Sequence, residues 1–122
     1  MLVVDDESLQ LRVARRILGK LGYTVVTSSS GDAALELYRS AKEPELFDLV
    51  IVDMMMPGNL NGIATIEAMR KLRPLQKALL ATGFAPERME TLASAQGLAW
   101  LPKPYTMNAL SEAVRSALNA TS

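Results

Sequence analysis

The sequence predicts an α/β fold in which a five-stranded parallel sheet is covered by helices on both faces. Short apolar runs alternate with helical segments along the chain, which gives five strand–helix units. The run at 49–52 has four consecutive apolar residues, three of them β-branched, as expected of a central strand buried on both faces. Every unit has the dozen or so residues that a right-handed crossover between parallel strands needs. The 122 residues therefore predict one domain, 1–122, with a doubly wound sheet.

The first two units are recognised by their helix signals. The first strand, 1–4, leads into a helix, and Gly22 is placed to cap the C-terminus of that helix. The apolar stripe of this helix is predicted at four-residue steps: Leu9, Val13, Ile17 and Leu21. Residues 23–28 form the second strand, and Ser30 is the expected N-cap of the second helix, with Asp32 in its first turn. The predicted inner face of the second helix is Ala34, Leu37, Tyr38 and Ala41.

The last three units follow the same order. The third helix, 63–72, has less regular apolar spacing, and the fourth strand lies at 78–81. The fourth helix is expected to turn these residues inward: Met89, Leu92 and Ala93. A fifth strand at 98–101 precedes the last helix, for which Thr106 is the expected N-cap. The apolar stripe of the last helix is Leu110, Val114 and Leu118.

Composition and charge exclude several classes of function. Lys plus Arg and Asp plus Glu both number 13, so the chain lacks the basic field of a nucleic-acid-binding protein. No apolar run approaches the roughly 20 residues that span a bilayer, so we expect no membrane insertion. The absence of cysteine excludes disulfides and thiolate chemistry, and it fits a cytoplasmic location. The absence of histidine means that any imidazole base or phosphohistidine must come from a partner.

Polar residues stand at the ends of four of the five strands. In chain order they are Asp5 and Asp6, Asp53, Thr82 and Lys103. A lone carboxylate at a strand end is more often an ordinary solvated residue than part of a site. Because the ligand site of a doubly wound sheet lies at the carboxyl ends of its strands, at the topological switch point, we expect these side chains to surround one crevice.

The charges of this crevice point to a metal and a phosphate. Three carboxylates within a few ångströms repel one another by about 1 to 4 kcal/mol per pair at intermediate dielectric, which one lysine does not offset. A hard divalent cation does, and Mg²⁺ prefers one or two carboxylates together with a phosphate. Thr82 and Lys103 supply a hydroxyl and an ammonium of the kind that bind phosphoryl oxygens.

With these residues the chain resembles the receiver domain of the response regulators of two-component systems. The resemblance rests on Asp5-Asp6, the run from Val52 to Gly58, Ala81-Thr82-Gly83 and Pro102-Lys103-Pro104-Tyr105, and it covers essentially the whole chain. It implies a flavodoxin-like (βα)5 fold and a phosphoacceptor signalling domain rather than an enzyme. The implied partner is a histidine kinase or a histidine phosphotransfer protein. After this partner transfers a phosphoryl group, the domain is expected to change its interaction surface.

The resemblance also implies roles for the acidic residues. Asp53 is similar to the family's phosphoacceptor, and Asp6, Asp53 and the backbone carbonyl of Met55 are similar to its direct Mg²⁺ ligands. Asp5 is similar to an acid that acts on the metal through water. Met55 and Phe84 occupy positions that tune the access of hydrolytic water in the family; both are apolar here, so we expect slow self-dephosphorylation.

Further roles concern the phosphoryl group and the switch. Thr82 and Lys103 would hold the phosphoryl oxygens, and Thr82 and Trp100 would form the switch. The switch aromatic of the family is usually Tyr or Phe, so the bulkier indole of Trp100 leaves its inward swing an open point. The loop 57–62 is one residue longer than the usual form, a variant that resembles receivers attached to hybrid sensor kinases.

Other functions fit the sequence less well. A phosphatase of the haloacid-dehalogenase type needs a second Asp two residues after its nucleophile, where Met55 stands. A flavodoxin-like nucleotide binder needs a phosphate loop after the first strand, where the acidic residues 5–7 would repel a phosphate unless a metal intervened. The main alternative is a receiver fold that works as an interaction module without phosphorylation. The sequence leaves open the cognate kinase, the output partner, the attachment to a larger chain and the oligomeric state, a homodimer included.

Overall fold

The computed structural model confirms the predicted architecture, and it describes residues 1–41, 47–55, 61–83, 87–91 and 98–119. The strands are β1 Leu2–Val4, β2 Val26–Ser28, β3 Val50–Asp53, β4 Ala78–Thr82 and β5 Ala99–Pro102. The helices are α1 Ser8–Lys20, α2 Gly31–Ser40, α3 Gly62–Leu72, α4 at 87–91 and α5 Met107–Asn119. Along the described ranges, no helix combines the length and apolar character needed to cross a membrane.

The strands form one parallel sheet in the order β2-β1-β3-β4-β5. β1 and β3 are neighbours, as predicted, and the connections on either side of them run in opposite directions across the sheet, which makes this pair the switch point. The register sets Val4 opposite Val52 and Asp53 opposite Ala81. The strands that carry the acidic residues therefore end side by side.

Alternate strand residues face two separate hydrophobic clusters, as the period of two in a strand requires. Val4 faces the cluster beneath α2 and α3, which contains Tyr38 and the α4 residue Met89. Val3 faces the cluster beneath α1 and α5, which contains Leu110. Helices thus cover both faces of the sheet, and each face has a core of its own.

The predicted apolar stripe of α1 is wrong at three of its four residues. Leu9, Val13 and Leu21 are 65%, 38% and 40% exposed, and Ile17 alone of the four is buried. The buried residues of α1 are Ala14, Ile17 and Leu18. Each four-residue step rotates the side-chain direction by about 40° more than one full turn of the helix. A stripe built from such steps therefore winds around the helix and away from the sheet. Mixed steps of three and four keep to one face.

The inner face of α2 is predicted correctly in part. Ala34 and Tyr38 are fully buried, whereas Leu37 is 40% exposed and Leu35 is buried in its place. In α5 the predicted Leu110 and Val114 are fully buried and Leu118 is half-buried. Of the three residues predicted to face inward from the fourth helix, Met89 is fully buried, and the other two, Leu92 and Ala93, lie outside the described residues.

The predicted helix caps are present. The hydroxyl of Ser30 accepts a hydrogen bond from the backbone N–H of the third residue of α2 at 3.1 Å. The hydroxyl of Thr106 accepts one from the backbone N–H of the third residue of α5 at 3.0 Å. Gly22 has a φ of 95°, and its N–H donates to the carbonyl of Gly19. Such a left-handed residue just past a helix end is favoured as glycine, so Gly22 ends α1 as predicted.

Candidate functional site

The carboxyl edge of the sheet brings the acidic residues together. Asp5 and Asp6 follow β1, and Asp53 is the last residue of β3. One carboxylate oxygen from each of the three lies within 4.8 Å of the others. A cleft of about 490 Å³ opens at this edge and is lined by Asp6, Glu7, Gln10, Asp53, Met55, Gly83, Lys103 and Pro104.

Asp5 and Asp6 have different environments although they are adjacent in the chain. Asp5 is buried, its Oδ1 accepting a hydrogen bond from the backbone N–H of Glu7 at 3.0 Å and its Oδ2 accepting one from Lys103 Nζ at 3.0 Å. Asp6 is exposed and lines the cleft. Because both oxygens of Asp5 already have protein donors, Asp6 is the better placed of the two to bind a cation directly.

Asp53 occupies a buried position at the base of the cleft. Its side chain is 8% exposed, and its Oδ1 lies 3.3 Å from Lys103 Nζ. Burial and, to a smaller extent, the charge of Asp5 raise the pKa of Asp53 to about 6, against the opposing charge of Lys103. The carboxylate is therefore mostly ionised near neutral pH, and a nearby cation would stabilise that form.

The ammonium of Lys103 lies between Asp5 and Asp53. Its position is fixed from the backbone, because the N–H of Lys103 donates to the carbonyl of Thr82 at 2.7 Å; the peptide bond to Pro104 is cis. Burial alone would lower the pKa of Lys103, but its hydrogen bond and attraction to Asp5, and then to Asp53, raise it. Lys103 thus remains a cation and offsets part of the negative charge.

The donor set of the cleft fits a hard divalent cation. Three carboxylates against one ammonium leave an excess of negative charge at this edge of the described structure. Oxygen ligands of this number and charge suit Mg²⁺ better than a metal that prefers thiolate or imidazole. That Asp6, Asp53 and the backbone carbonyl of Met55 hold it stays a prediction.

Thr82 and Trp100 are not among the residues that line the cleft. Thr82 is the last residue of β4 and is 1% exposed. Trp100 lies in β5 opposite Leu80, is half-buried, and packs against the cluster beneath α2 and α3. Their roles as switch residues stay predictions, and Phe84 and most of the loop 57–62 lie outside the described residues.

Sequence reasoning missed several residues around the cleft. Glu7, which directly follows Asp6, is the N-cap of α1, and Gln10 lies in the first turn of that helix, so helical spacing could have placed both beside the acids. Tyr105 is half-buried, and burial, followed by the charge of Asp5, raises the pKa of its hydroxyl. The sequence signal that could have placed Tyr105 near the cleft was its position shortly after Lys103.

A larger groove, of about 620 Å³, lies at the opposite edge of the sheet. It is lined by Phe47, Arg73 and Leu118 among others, and the cluster of acids described above is not part of it. The guanidinium of Arg73 lies 4.4 Å from the ring centre of Tyr38 and donates to the carbonyl of Ala41 at 2.9 Å. These contacts fasten α3 to α2, which is a structural role. The reactive groups lie in the smaller cleft and not in the larger groove.

Comparison with known proteins relates the chain to a family of signalling proteins. The family model described as the response regulator receiver domain matches residues 1–115. Transcriptional regulatory protein ZraR of Escherichia coli K12 is 32% identical over 122 residues, which are 99% of this chain and 26% of that protein. Sensor kinase CckA of Brucella abortus is 29% identical over 119 residues, 97% of this chain and 12% of that protein. The chain spans about a quarter or less of the length of these two relatives.

A solved structure shows the same relationship. Response regulator TrrA from Thermotoga maritima, in complex with Mg(2+)-BeF, superposes with a TM-score of 0.82 at 28% identity. The similarity covers 95% of this chain and 96% of that one.

Proposed function

Because the chain belongs to the response regulator receiver domain family, we propose that it accepts a phosphoryl group from a partner's phosphohistidine onto Asp53. Receiver domains are signalling domains rather than classical enzymes, so the phosphorylated protein is itself the product that matters. The observation that supports this most is the buried carboxylate of Asp53, which faces an acidic cleft and lies 3.3 Å from Lys103. The donor is a histidine kinase or a histidine phosphotransfer protein, since this chain has no histidine.

In the proposed transfer a carboxylate oxygen of Asp53 attacks phosphorus in line with the leaving nitrogen. An O–P bond forms while the P–N bond to the partner's imidazole breaks, and its electron pair stays on the ring nitrogen. The other ring nitrogen already carries a proton, so a neutral imidazole leaves. Lys103 and Thr82 bind oxygens of the transferred group and stabilise its charge.

Mg²⁺ is the proposed cofactor, held by Asp6, Asp53 and the carbonyl of Met55, with Asp5 acting through water. When bound, it neutralises the carboxylates and the phosphoryl oxygens and so lowers the repulsion between nucleophile and phosphate. Asp5 suits an indirect role because Glu7 and Lys103 already occupy its two oxygens. The Mg(2+)-BeF complex of TrrA supports the same cofactor for this chain.

The proposed signal is a change in the protein's interaction surface. Thr82 moves toward the phosphoryl group, Trp100 responds, and the surface that includes α4, β5 and α5 changes its preferred partner. We propose that residues 1–122 act as a single receiver domain in the cytoplasm, with no direct contact to nucleic acid and with a homodimer as one available state. Self-dephosphorylation is proposed to be slow, because the apolar Met55 lines the cleft.

Intact-mass spectrometry after incubation with acetyl phosphate tests the phosphoacceptor role. We expect the wild type to gain one phosphoryl group only when Mg²⁺ is present and Asp53→Asn to gain none. Asp32→Asn, at an exposed acid in the first turn of α2, is the matched control and should be modified like the wild type. An unchanged mass in the wild type would refute the proposal and favour an interaction module that works without phosphorylation.

A further inference from the structure

Gly62, the first residue of α3, packs directly on the peptide that joins Asp53 to Met54. A Cβ atom added at Gly62 would lie against the carbonyl oxygen of Asp53 and 2.8 Å from Cα of Met54, both closer than the 3.0 Å below which real Cβ contacts essentially never occur. The atoms it meets are backbone atoms, which have no rotamer by which to move aside. At Gly19 and Gly83 the same added atom meets nothing within 4 Å.

This contact completes a two-sided hold on Met54. The N–H of Met54 donates to the carbonyl of Ala81 in β4 at 2.8 Å, and the carbonyl of Met54 accepts from the N–H of Gly62 at 3.0 Å. The backbone directly after Asp53 is therefore fixed by a strand on one side and by a helix start on the other. Met55, whose carbonyl would bind the cation, is the next residue.

The start of α3 is itself well anchored. Oδ1 of Asn61 accepts from the N–H of Ala64 at 2.9 Å, and the hydroxyl of the fully buried Thr65 donates to the carbonyl of Asn61 at 2.8 Å. These bonds satisfy groups at the helix start that would otherwise lack partners. The helix is thus a firm support against which the Asp53–Met54 peptide rests.

We propose that Gly62 is a positioning residue for the cation site, and that its lack of a side chain sets where the carboxylate of Asp53 and the carbonyl of Met55 meet the cation. Any larger residue must push the Asp53–Met54 peptide and α3 apart, by about 0.6 Å for Cα of Met54 to reach the ordinary contact distance of 3.4 Å and by more for the carbonyl oxygen of Asp53. Mg²⁺ demands near-ideal octahedral geometry at about 2.0–2.1 Å, so a shift of this size displaces a ligand from its required place. Gly62 touches neither the cation nor the phosphoryl group.

The test compares Gly62→Ala with Gly19→Ala, an exposed glycine in α1 with open space around it. Isothermal titration calorimetry with MgCl₂ should show the Kd for Mg²⁺ of Gly62→Ala raised by about tenfold or more, the size of effect seen when support for metal ligands is removed. Gly19→Ala should bind Mg²⁺ like the wild type. In metal-free protein, NMR should show shifted amide signals for residues 53–55 in Gly62→Ala alone. A folded Gly62→Ala that binds Mg²⁺ as tightly as the wild type would overturn the inference.

A second pair of variants covers the case in which Gly62→Ala does not fold. Asn61→Ala removes the cap of α3, and Ser30→Ala removes the equivalent cap of α2, away from the cleft. Both should lower the midpoint of urea unfolding to a similar extent, but Asn61→Ala alone should weaken Mg²⁺ binding. Equal Mg²⁺ affinity in the two would refute the positioning role.

The inference rests on the proposed function for the identity of the cation. A wild type that binds Mg²⁺ but takes no phosphoryl group from acetyl phosphate would refute the proposed function and leave the role of Gly62 intact. A phosphorylated wild type together with unaltered Mg²⁺ affinity in Gly62→Ala would refute the role of Gly62 alone.

Discussion

Nζ of Lys103 lies 3.0 Å from Oδ2 of Asp5, so two residues 98 positions apart in the chain form an ion pair at the carboxyl edge of the sheet. The same ammonium lies 3.3 Å from Asp53. A side chain that follows β5 thus offsets the charge of one carboxylate that follows β1 and of another that ends β3. The free energy of unfolding should therefore depend on Lys103. The proposed phosphotransfer depends on the same residue.

Replacing Lys103 by Met should destabilise the metal-free protein. The change leaves Asp5 and Asp53 without their shared cation, and we expect a loss of about 2–3 kcal/mol, somewhat below the roughly 3–5 kcal/mol for breaking a fully buried pair. Urea unfolding in EDTA measures this loss, and MgCl₂ should restore part of it. Lys71→Met, at an exposed lysine in α3, should change stability by less than about 1 kcal/mol. Equal effects of the two variants would contradict the importance of the pair.

Replacing Asp53 by Asn should stabilise the metal-free protein at neutral pH. The pKa of Asp53 is about 6 in the folded protein against an ordinary 3.8, so between these pH values the folded state binds more protons than the unfolded state. The free energy of unfolding therefore falls as pH rises through this range. Below pH 4 the variant and the wild type should therefore unfold alike. Above pH 7 the variant should be more stable by roughly 1–2 kcal/mol, after allowance for solvent screening.

Thermal unfolding in EDTA across pH 4 to 8 checks this prediction. Asp32→Asn is the control, because that acid lies in the first turn of α2, where its charge is favourable, and its loss should lower stability slightly. A difference in stability between Asp53→Asn and the wild type that becomes smaller as pH rises would contradict the predicted direction of the pH dependence. Added Mg²⁺ should stabilise the wild type and narrow the gap.

Replacing Met55 by Asn should shorten the lifetime of the phosphorylated protein. Met55 is 59% exposed and lines the cleft, so its apolar side chain shields the proposed acyl phosphate, whereas an amide can hold a water molecule beside it. Loss of phosphoryl mass over time, after removal of acetyl phosphate, measures the decay. Met107→Asn, at an exposed methionine of α5, should decay like the wild type. Slower decay in Met55→Asn would refute the shielding idea.

Trp100 should report on the site by fluorescence. It is the only tryptophan in the chain, and it lies half-buried in β5, three residues before Lys103. We expect its emission to change when Mg²⁺ and beryllofluoride, a phosphoryl mimic, are added together, because the proposed movement of Thr82 alters its packing. Asp53→Asn should show no such change. Unaltered emission in the wild type would count against a switch that includes Trp100.

The fold and the position of the cleft could be predicted from the sequence because they depend on local patterns. Buried runs such as 49–52 define the strands, and parallel topology then brings Asp5, Asp53 and Lys103 to one edge. The distinct environments of Asp5 and Asp6 could not be predicted from the residues alone. They depend on the backbone N–H of Glu7 and on a lysine near the other end of the chain.

Two further features were beyond sequence reasoning for physical reasons. The predicted stripe winds around α1, and which part of it faces the sheet depends on how the helix packs there, so the exposure of Leu9 and Val13 does not follow from the spacing alone. The contact of Gly62 with Asp53 is between backbone atoms of two elements, and glycine has no side chain from which to infer a partner.

Among the described residues, the sheet divides the interior into two cores that share no side chains, one containing Met89 and the other Leu110. Substitutions in such separated regions usually have additive energies, whereas neighbours within one region do not. Stabilising changes beneath α1 and α5 can therefore compensate for weakened packing around Trp100 on the opposite face. The proposed response to phosphorylation and the free energy of unfolding of the domain can thus be changed independently.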